Sequence, residues 1–323
     1  MDNFLIENGV LVKYLGEEIN VSIPDGVKKI GEDAFRDNKK IQSVFIPESV
    51  TSIDNYAFLG CSSLKTINIP NGVGRISYSV FYNCSSLESI VLPEGITIIE
   101  EAAFQNCTSL KSIIIPKNVN VIGDEAFLGC SALENVVITE GVKVISNDAF
   151  RECDSLKEIF IPKTIWAIEN NPFYKCKSLT SIVVDKDNDH FSSMNGILYD
   201  KKQSDVICYP TGKKDATYIA PLSVEVICDY AFYENPYIKS VVLSDNIDII
   251  GEDSFSRCSS LESISLGSGL YLIFDYAFEG SPLTNIVFNG TKEDWEEIDL
   301  REGWNENIPA TEVHCVDGDI IFE

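Results

Sequence analysis

Cysteines are the residues of this 323-residue sequence whose spacing first suggests chemistry, because thiolates bind zinc, form disulfides and act as nucleophiles. Seven of the cysteines recur at one position of a sequence repeat, which we call the cysteine column, and Asn38, Asn235 and Ser281 occupy the same position in other repeats. A position that accepts Cys, Asn or Ser favours a small side chain that bonds to neighbouring backbone, so we interpret the column as an internal ladder of free thiols. The cysteines of the column each follow a phenylalanine by three positions, at Cys61, Cys84, Cys107, Cys130, Cys153, Cys176 and Cys258.

Other chemical uses of these thiols have less support from the spacing. No Cys-x-x-Cys pair occurs among the ten cysteines, which disfavours a zinc site. The Asn and Ser substitutions indicate that disulfide pairing between neighbouring positions is not required. Free thiols are typical of a reducing compartment.

Histidine-dependent catalysis has two candidate residues, His190 and His314. His314 directly precedes Cys315, but adjacent residues of a strand point to opposite faces, so the two do not form a catalytic pair. Acidic residues are abundant, yet they recur in a regular register and do not converge on one position. We therefore predict no catalytic residue.

A short acidic segment resembles the beginning of an EF-hand calcium loop, since Asp185, Asp187 and Asp189 alternate with other residues. His190 occupies the place of the loop glycine, and Gly196 occupies the place of the final glutamate. A polar turn therefore explains this segment better than calcium binding. We predict no metal and no cofactor.

The elements that position these residues follow from a 23-residue repeat. Its clearest marker is a phenylalanine preceded by a small residue. The regular step is interrupted once, between Phe173 and Phe232. The phenylalanines of the column are Phe35, Phe58, Phe81, Phe104, Phe127, Phe150, Phe173, Phe232, Phe255 and Phe278.

Each repeat contains a short strand with alternating apolar residues, as in Ile113-Ile-Ile115, and Pro116 then ends the strand. A second apolar pair follows, such as Val119 and Ile122. Acidic residues precede most of the phenylalanines, which predicts a helical turn whose first amides are capped by carboxylates. One repeat cannot bury its own apolar side chains, so stacked repeats must share a continuous core.

The pattern Leu-x-x-Ile-x-Ile-Pro-x-x-Val-x-x-Ile-x-x-x-Ala-Phe-x-x-Cys resembles the BspA-like leucine-rich repeat family of bacterial proteins over roughly Val21 to Phe288. The resemblance implies a curved parallel solenoid, and some secreted members of that family are associated with adhesion. We predict a repeat solenoid: a right-handed parallel leucine-rich-repeat superhelix with short strands and helical turns and a central β-hairpin insertion. The handedness follows from the general rule for parallel connections.

Segments outside the regular repeat predict caps and an insertion. Asn8-Gly9 and Asn195-Gly196 each lie between apolar runs, which is a strong signal for a β-hairpin turn. Thr291 and Asp294 have capping-box spacing before Trp295. The predicted domains are an N-terminal β-hairpin cap (1–20), leucine-rich repeats (21–184), a β-hairpin insertion (185–217), leucine-rich repeats (218–288) and a C-terminal cap (289–323).

The middle residue of each Ile-x-Ile strand points away from the core and forms an apolar row beside a small polar row. Exposed contiguous apolar surface marks binding sites. Two alternatives remain open, namely plain β-propensity and cover by the hairpin insertion. The residues that we predict to bind a protein are Phe45, Val91, Ile114, Val137, Phe160 and Val183.

The function predicted from the sequence is therefore a non-enzymatic protein-interaction module with a protein partner of unidentified type. A glycan-binding surface protein that uses exposed Tyr199, Tyr209 and Tyr218 is the alternative, and an enzyme is least favoured. The net charge of −25 disfavours nucleic acid and anionic lipid as partners. No apolar segment is long enough for membrane insertion. No signal peptide is visible, which slightly favours the cytoplasm over the cell surface or secretion.

Overall fold

The computed structural model describes residues 3–322, and the backbone divides into two compact units, Met1–Lys177 (unit 1) and Ser178–Glu323 (unit 2). Each unit is a parallel β-solenoid in which most coils supply short strands to two ladders. The strands of unit 1 are β1 (Phe4–Glu7), β2 (Val10–Tyr14), β3 (Asn20–Ser22), β4 (Lys29–Ile30), β5 (Ser43–Phe45), β6 (Ser52–Ile53), β7 (Thr66–Ile67), β8 (Ile98–Ile99), β9 (Ser112–Ile115), β10 (Val121–Ile122), β11 (Asn135–Ile138), β12 (Val144–Ile145), β13 (Glu158–Ile161) and β14 (Ala167–Ile168).

The register of the parallel pairs between repeats of unit 1 equals the sequence period. Asn135 pairs with Ser112, and Val144 pairs with Val121, so the partners in each pair are one repeat apart. The Ile-x-Ile strands β3, β5, β7, β9, β11 and β13 follow one another along the side that we call the sheet face. Strands β3, β5 and β7 form one parallel sheet and β9 pairs with β11, whereas the Ile90-Val-Leu92 segment between these two sheets is not a strand. The short strands β4, β6, β8, β10, β12 and β14 follow one another along a second side, which we call the second ladder, with β4 and β6 in one sheet and β8, β10, β12 and β14 in another. A single period therefore places equivalent side chains on top of one another.

An N-terminal hairpin begins unit 1. Strands β1 and β2 pair antiparallel, and both turn residues, Asn8 and Gly9, have positive φ. Strand β2 then pairs in parallel with β4, so the hairpin adds directly to the second ladder. Tyr14 stacks on Phe35 at a centroid distance of 5.2 Å and extends the phenylalanine column.

The phenylalanines form one continuous stack inside unit 1. Phe104 and Phe127 lie 5.2 Å apart between centroids with an interplanar angle of 7°, and Phe127 and Phe150 lie 5.3 Å apart at 2°. All seven rings of this unit are buried. The constant sequence period makes this geometry possible, because each coil returns its ring to the same position one strand spacing further along.

The turn that carries each phenylalanine is not helical, so the helical-turn detail of the prediction is wrong. In the coil of Phe104, both Ala102 and Asn106 have positive φ, which no helix accommodates. Their amides and that of Phe104 donate to carbonyl oxygens of the next coil, for example Phe104 to Ala126 at 2.8 Å. The turns therefore form a third ladder between coils, a long-range pattern that the local sequence does not reveal.

The acidic residues before each phenylalanine accept amide protons as predicted, but from the adjacent coil. A side-chain oxygen of Glu100 accepts from the amide of Tyr78 at 2.9 Å, and one of Asp124 accepts from the amide of Asn147 at 3.1 Å. These carboxylates therefore tie coils together and do not cap helices.

Unit 2 repeats the same design with different ends. Its elements are β15 (Ser181–Val184), β16 (Phe191–Met194), β17 (Ile197–Asp200), β18 (Asp205–Cys208), β19 (Thr217–Ile219), β20 (Val226–Ile227), β21 (Ser240–Val242), β22 (Ile249–Ile250), β23 (Ser263–Leu266), β24 (Leu272–Ile273), β25 (Asn285–Phe288), α1 (Lys292–Glu296), β26 (Asp299–Leu300), β27 (Glu312–Cys315) and β28 (Gly318–Ile321).

The insertion is a three-stranded meander that is part of the core of unit 2. Strands β16 and β17 pair antiparallel around the Asn195-Gly196 turn, as the sequence predicts. Strand β18 adds antiparallel to β17 and then pairs in parallel with β20. Tyr209 follows β18 and stacks on Phe232 at 4.6 Å. The insertion therefore merges into the repeat at Tyr209, which precedes Phe232 by one sequence period.

The C-terminal cap contains the only α-helix among residues 3–322. Thr291 caps α1 with a reciprocal capping box to Asp294, as the spacing predicts, and Trp295 is buried. Phe278 meets Trp304 edge to face at 6.1 Å, which ends the aromatic column. Strands β27 and β28 form a closing antiparallel hairpin.

Candidate protein-binding surface

The sheet face of unit 1 exposes, wholly or in part, the middle residue of each Ile-x-Ile segment. In β9, Ile113 and Ile115 are buried whereas Ile114 between them is exposed. Extended backbone forces this alternation, because successive side chains leave a strand on opposite sides. Ile114 pairs in register with Val137 of β11, so the exposed residues form a row along the coil axis.

Five of the six predicted binding residues lie in this row of unit 1, which we call the apolar stripe: Phe45, Val91, Ile114, Val137 and Phe160. Their exposed fractions range from 46% at Phe160 to 81% at Val91. The sixth residue, Val183, lies in β15 of unit 2 and is 37% exposed.

A shallow depression interrupts the apolar stripe where its row contains Asn68. The amide group of Asn68 lies flat against the backbone, donating to the carbonyl oxygen of Ile46 at 2.7 Å and accepting from the amide of Ile46 at 2.8 Å. The side chains of Phe45 and Val91 stand on either side. The resulting space measures about 460 Å³.

Small polar residues also line the depression, and one of them is hydrogen-bonded to its neighbour. Ser43 donates to the side-chain oxygen of Asn20 at 2.7 Å. Sequence reasoning missed this concavity, although the signal was present, because Asn68 is the one polar residue in the row between Phe45 and Val91. The depression is lined by Asn20, Val21, Ser22, Ser43, Val44, Phe45, Thr66, Ile67, Asn68, Ser89, Ile90 and Val91.

The cysteine column is an internal ladder of thiols, as predicted. Cys84 donates to the carbonyl oxygen of Phe58 at 3.2 Å, and Ser281 makes the equivalent bond to Phe255 at 2.6 Å. Burial raises the pKa of the Cys130 thiol to about 12, so it is neutral at ordinary pH. Within residues 3–322, no two cysteines form a disulfide. The column is therefore structural and contributes no nucleophile to the sheet face.

The two histidines occupy different surroundings. His190 is exposed at the end of a polar turn, in which the side chain of Asn188 accepts from its amide at 2.8 Å. His314 pairs with Asp319 at 2.9 Å, and this hydrogen bond raises the pKa of the imidazole. Glu312, His314 and Asp319 form the one group of three potential metal ligands within residues 3–322.

The tyrosines suggested for glycan binding do not form an exposed platform, so that part of the alternative is wrong. Tyr199, Tyr209 and Tyr218 are all buried. Tyr209 and Tyr218 meet nearly at right angles, with centroids 5.8 Å apart, and both pack on Phe232. Tyrosine is often partly exposed because of its hydroxyl, but here the ring positions are set by the aromatic column.

The fold and the exposed strand row define a leucine-rich repeat protein. A model of the BspA type leucine rich repeat region matches residues 17–134, 74–195 and 216–298, in six copies. The chain therefore belongs to the BspA-type leucine-rich repeat family, and the resemblance inferred from the sequence is confirmed. A comparison with curated proteins gives no match.

Solved structures of bacterial proteins share this fold. A leucine rich cell surface protein from Faecalibacterium prausnitzii A2-165 is 27% identical, covering 93% of this chain and 92% of its own, with a TM-score of 0.74. The pneumococcal vaccine antigen PcpA is 22% identical, covering 98% and 80%, with a TM-score of 0.73. A leucine-rich repeat protein from Bacteroides ovatus is 27% identical, covering 93% and 90%, with a TM-score of 0.51.

Within residues 3–322, no helix is long and apolar enough to cross a bilayer.

Proposed function

We propose that this chain is a non-enzymatic interaction module that binds a protein through the apolar stripe of unit 1. The observation that carries the proposal is the exposure of five large apolar side chains at the same position of five repeats. Large exposed apolar surfaces on otherwise soluble folds are typical of protein-binding sites. Membership of a leucine-rich repeat family supports the same role, because stacked repeats create extended binding surfaces.

The depression at Asn68 gives the proposed interface an anchor point. Binding energy concentrates where one side chain fills a concavity and loses its water. The walls formed by Phe45 and Val91 are apolar, whereas Ser43 and Thr66 offer hydroxyl groups. An aliphatic or aromatic side chain of a partner therefore fits this position.

Substitution of the apolar stripe tests the proposal. Phe160→Asp places a charge in the stripe without disturbing the core, because the side chain points outward. We expect the variant to fold normally and to lose its protein partners in a cross-linking and affinity-capture comparison with the native chain. Trp166→Asp is the matched control, since Trp166 is similarly exposed but lies outside the stripe.

The two variants separate a stripe-specific effect from a general one. Loss of partners with Phe160→Asp and retention with Trp166→Asp supports the proposal. Normal capture of every partner by folded Phe160→Asp would show that the stripe is not the binding surface.

A further inference from the structure

Charged residues flank the apolar stripe in an ordered pattern. In the coil of Ile114, the residues three before and three after it are Lys111 and Lys117, and all the equivalent residues of unit 1 are exposed. The sign of these charges alternates from coil to coil. The flanking pairs are Gln42 and Glu48 around Phe45, Lys65 and Asn71 around Asn68, Glu88 and Glu94 around Val91, Lys111 and Lys117 around Ile114, Glu134 and Glu140 around Val137, and Lys157 and Lys163 around Phe160.

The pattern makes the sheet face electrically unlike the rest of the molecule. Its flanks hold five lysines and five glutamates, a formal balance of zero, in a chain with a net charge of −25. Glu158, in the polar row, adds one negative charge. Two copies of this acidic chain can therefore meet at the sheet face without the repulsion that they would experience elsewhere.

Attraction within one chain accounts for the alternation along each flank. Neighbouring coils place opposite charges side by side, and Lys163 lies 3.3 Å from Glu140. Attraction between neighbouring coils does not explain why the flanking residues before and after the stripe carry the same sign in each of the last four coils. The two flanking residues of a coil are six positions apart, and because the strand between them is extended over up to four residues, the flanks lie on the order of 15–20 Å apart. That distance exceeds the Debye length of about 8 Å, so one flank does not sense the other.

We propose that the sheet face of unit 1 binds a second copy of this chain, face to face and with the coils antiparallel. A two-fold axis along the strand direction, between the coils of Val91 and Ile114, opposes Val91 to Ile114 of the partner subunit. It also opposes Phe45 to Phe160 of the partner subunit. This inference rests on the proposed function and names the partner.

The antiparallel arrangement gives each flanking charge an opposite or neutral counterpart. Glu88 faces Lys111 of the partner subunit, and Glu94 faces Lys117 of the partner subunit. Further out, Lys65 faces Glu134 of the partner subunit. Glu48 and Lys163 complete the set at the edge of the face. The two-fold axis repeats every pair, as an isologous interface requires.

Matched flanks also reject the competing arrangements. In a parallel face-to-face dimer each coil opposes its own copy, so Glu88 would face Glu94 and Lys111 would face Lys117. A shift of the antiparallel dimer by one coil again opposes like charges. Specificity often depends on such repulsion against wrong alignments. Flanks that alternated out of phase would not exclude the parallel form.

The shape of the surface agrees with this register. Asn68, at the floor of the depression, opposes Val137 of the partner subunit, whose side chain is half exposed in the free chain. The partner's Val137 therefore enters the space between Phe45 and Val91. Six coils cover roughly 600 Å² per copy, somewhat below the ~800 Å² per partner of a standard interface. We expect a reversible, concentration-dependent dimer.

A charge-reversal pair tests the proposal on the full chain. E88K/E94K gives both opposed coils a positive charge, and K111E/K117E gives both a negative charge. Each variant alone should dimerise at least about tenfold more weakly than the native chain. An equimolar mixture should recover the native affinity as a heterodimer, because every opposed pair is then complementary. Sedimentation velocity at about 0.15 M salt measures all three samples.

A matched control removes the effect of net charge. E32K/E101K makes the same change in total charge at exposed glutamates of the phenylalanine-bearing turns, away from the sheet face. This variant should dimerise like the native chain. Dissociation of the control, or failure of the mixture to recover dimers, would overturn the proposal.

The self-association can be disproved without disproving the proposed protein-binding function. A native chain that stays monomeric up to submillimolar concentration overturns the self-association. If Phe160→Asp still abolishes capture of a foreign protein in that case, the apolar stripe remains a protein-binding surface.

Discussion

The thiol of Cys107 donates a hydrogen bond to the carbonyl oxygen of Phe81 across an Sγ–O distance of 3.2 Å. This bond joins adjacent coils inside the core, where neither atom can reach water. It links the cysteine column to the phenylalanine column, so both repeat with the same period. The relationship determines which substitutions the column accepts.

Cys107→Ser should be tolerated, whereas Cys107→Ala should not. Serine can donate to the same carbonyl oxygen, as Ser281 does to Phe255. Alanine leaves that oxygen unpaired and opens a small cavity, which costs about 1–2 kcal/mol. Urea unfolding measures both variants. Equal losses for serine and alanine would show that the hydrogen bond contributes nothing.

Alkaline pH should destabilise the fold through the buried thiols. Burial raises the pKa of Cys61 and Cys258 to about 12, whereas unfolded thiols ionise near 9. The folded state therefore retains protons that the unfolded state releases between pH 9 and 12. Each such thiol lowers the free energy of unfolding by up to about 1.4 kcal/mol per pH unit in this window.

The measurement is urea unfolding at a series of pH values, with Cys61→Ser as the comparison. Stability from the thiols is fully present below pH 9 and is lost above it. The serine variant should show a shallower decline, because its hydroxyl does not ionise there. Parallel declines for the two proteins would contradict the assignment.

Tyr209 should behave as a member of the aromatic column and not as a surface residue. Tyr209→Ala removes the ring that stacks on Phe232 and should cost about 3–5 kcal/mol. Tyr209→Phe keeps the ring and loses only a long hydrogen bond to Asp215, so it should cost less than about 1 kcal/mol. Thermal unfolding distinguishes the two. A loss of stability below about 1 kcal/mol for the alanine variant would show that the Tyr209 ring does not contribute to the aromatic column.

Glycine in the phenylalanine-bearing turn is expected to be more stable than alanine where φ is positive. Gly129 has a φ of +71°, and a Cβ atom there would press on the side chain of Asn106. Gly129→Ala should therefore cost about 1–2 kcal/mol. Gly74→Ala is the control, because Gly74 has no heavy atom within 4 Å of its Cβ position. Similar losses at both glycines would argue against backbone strain as the cause.

Much of the fold could be predicted because the signals are periodic. The constant spacing of phenylalanines such as Phe104 and Phe127 determines the register of every coil, and the alternation in Ile113-Ile-Ile115 determines which side chains are buried. The cysteine column was interpreted correctly for the same reason. A position shared by Cys, Asn and Ser must satisfy one geometric requirement, whichever residue fills it.

Local sequence patterns were less informative where one pattern is compatible with two local backbone conformations. Acidic residues before a phenylalanine suit a helix N-terminus, but they also suit the left-handed turns that the structure contains. The choice depends on hydrogen bonds such as that from Phe104 to Ala126, whose partners lie in adjacent coils and are distant in sequence. The Gly and Asn residues at positions such as Gly129 and Asn106 were the available signal for positive φ.

The sequence by itself therefore determined the solenoid, its core columns, its caps and the row of residues that points outward. Only the tertiary structure decided that Tyr199, Tyr209 and Tyr218 are buried, and that the row from Phe45 to Phe160 is exposed in unit 1. Periodicity specifies the direction of a side chain relative to its own backbone. Exposure depends on what packs over that side chain, and residues distant in sequence supply that cover.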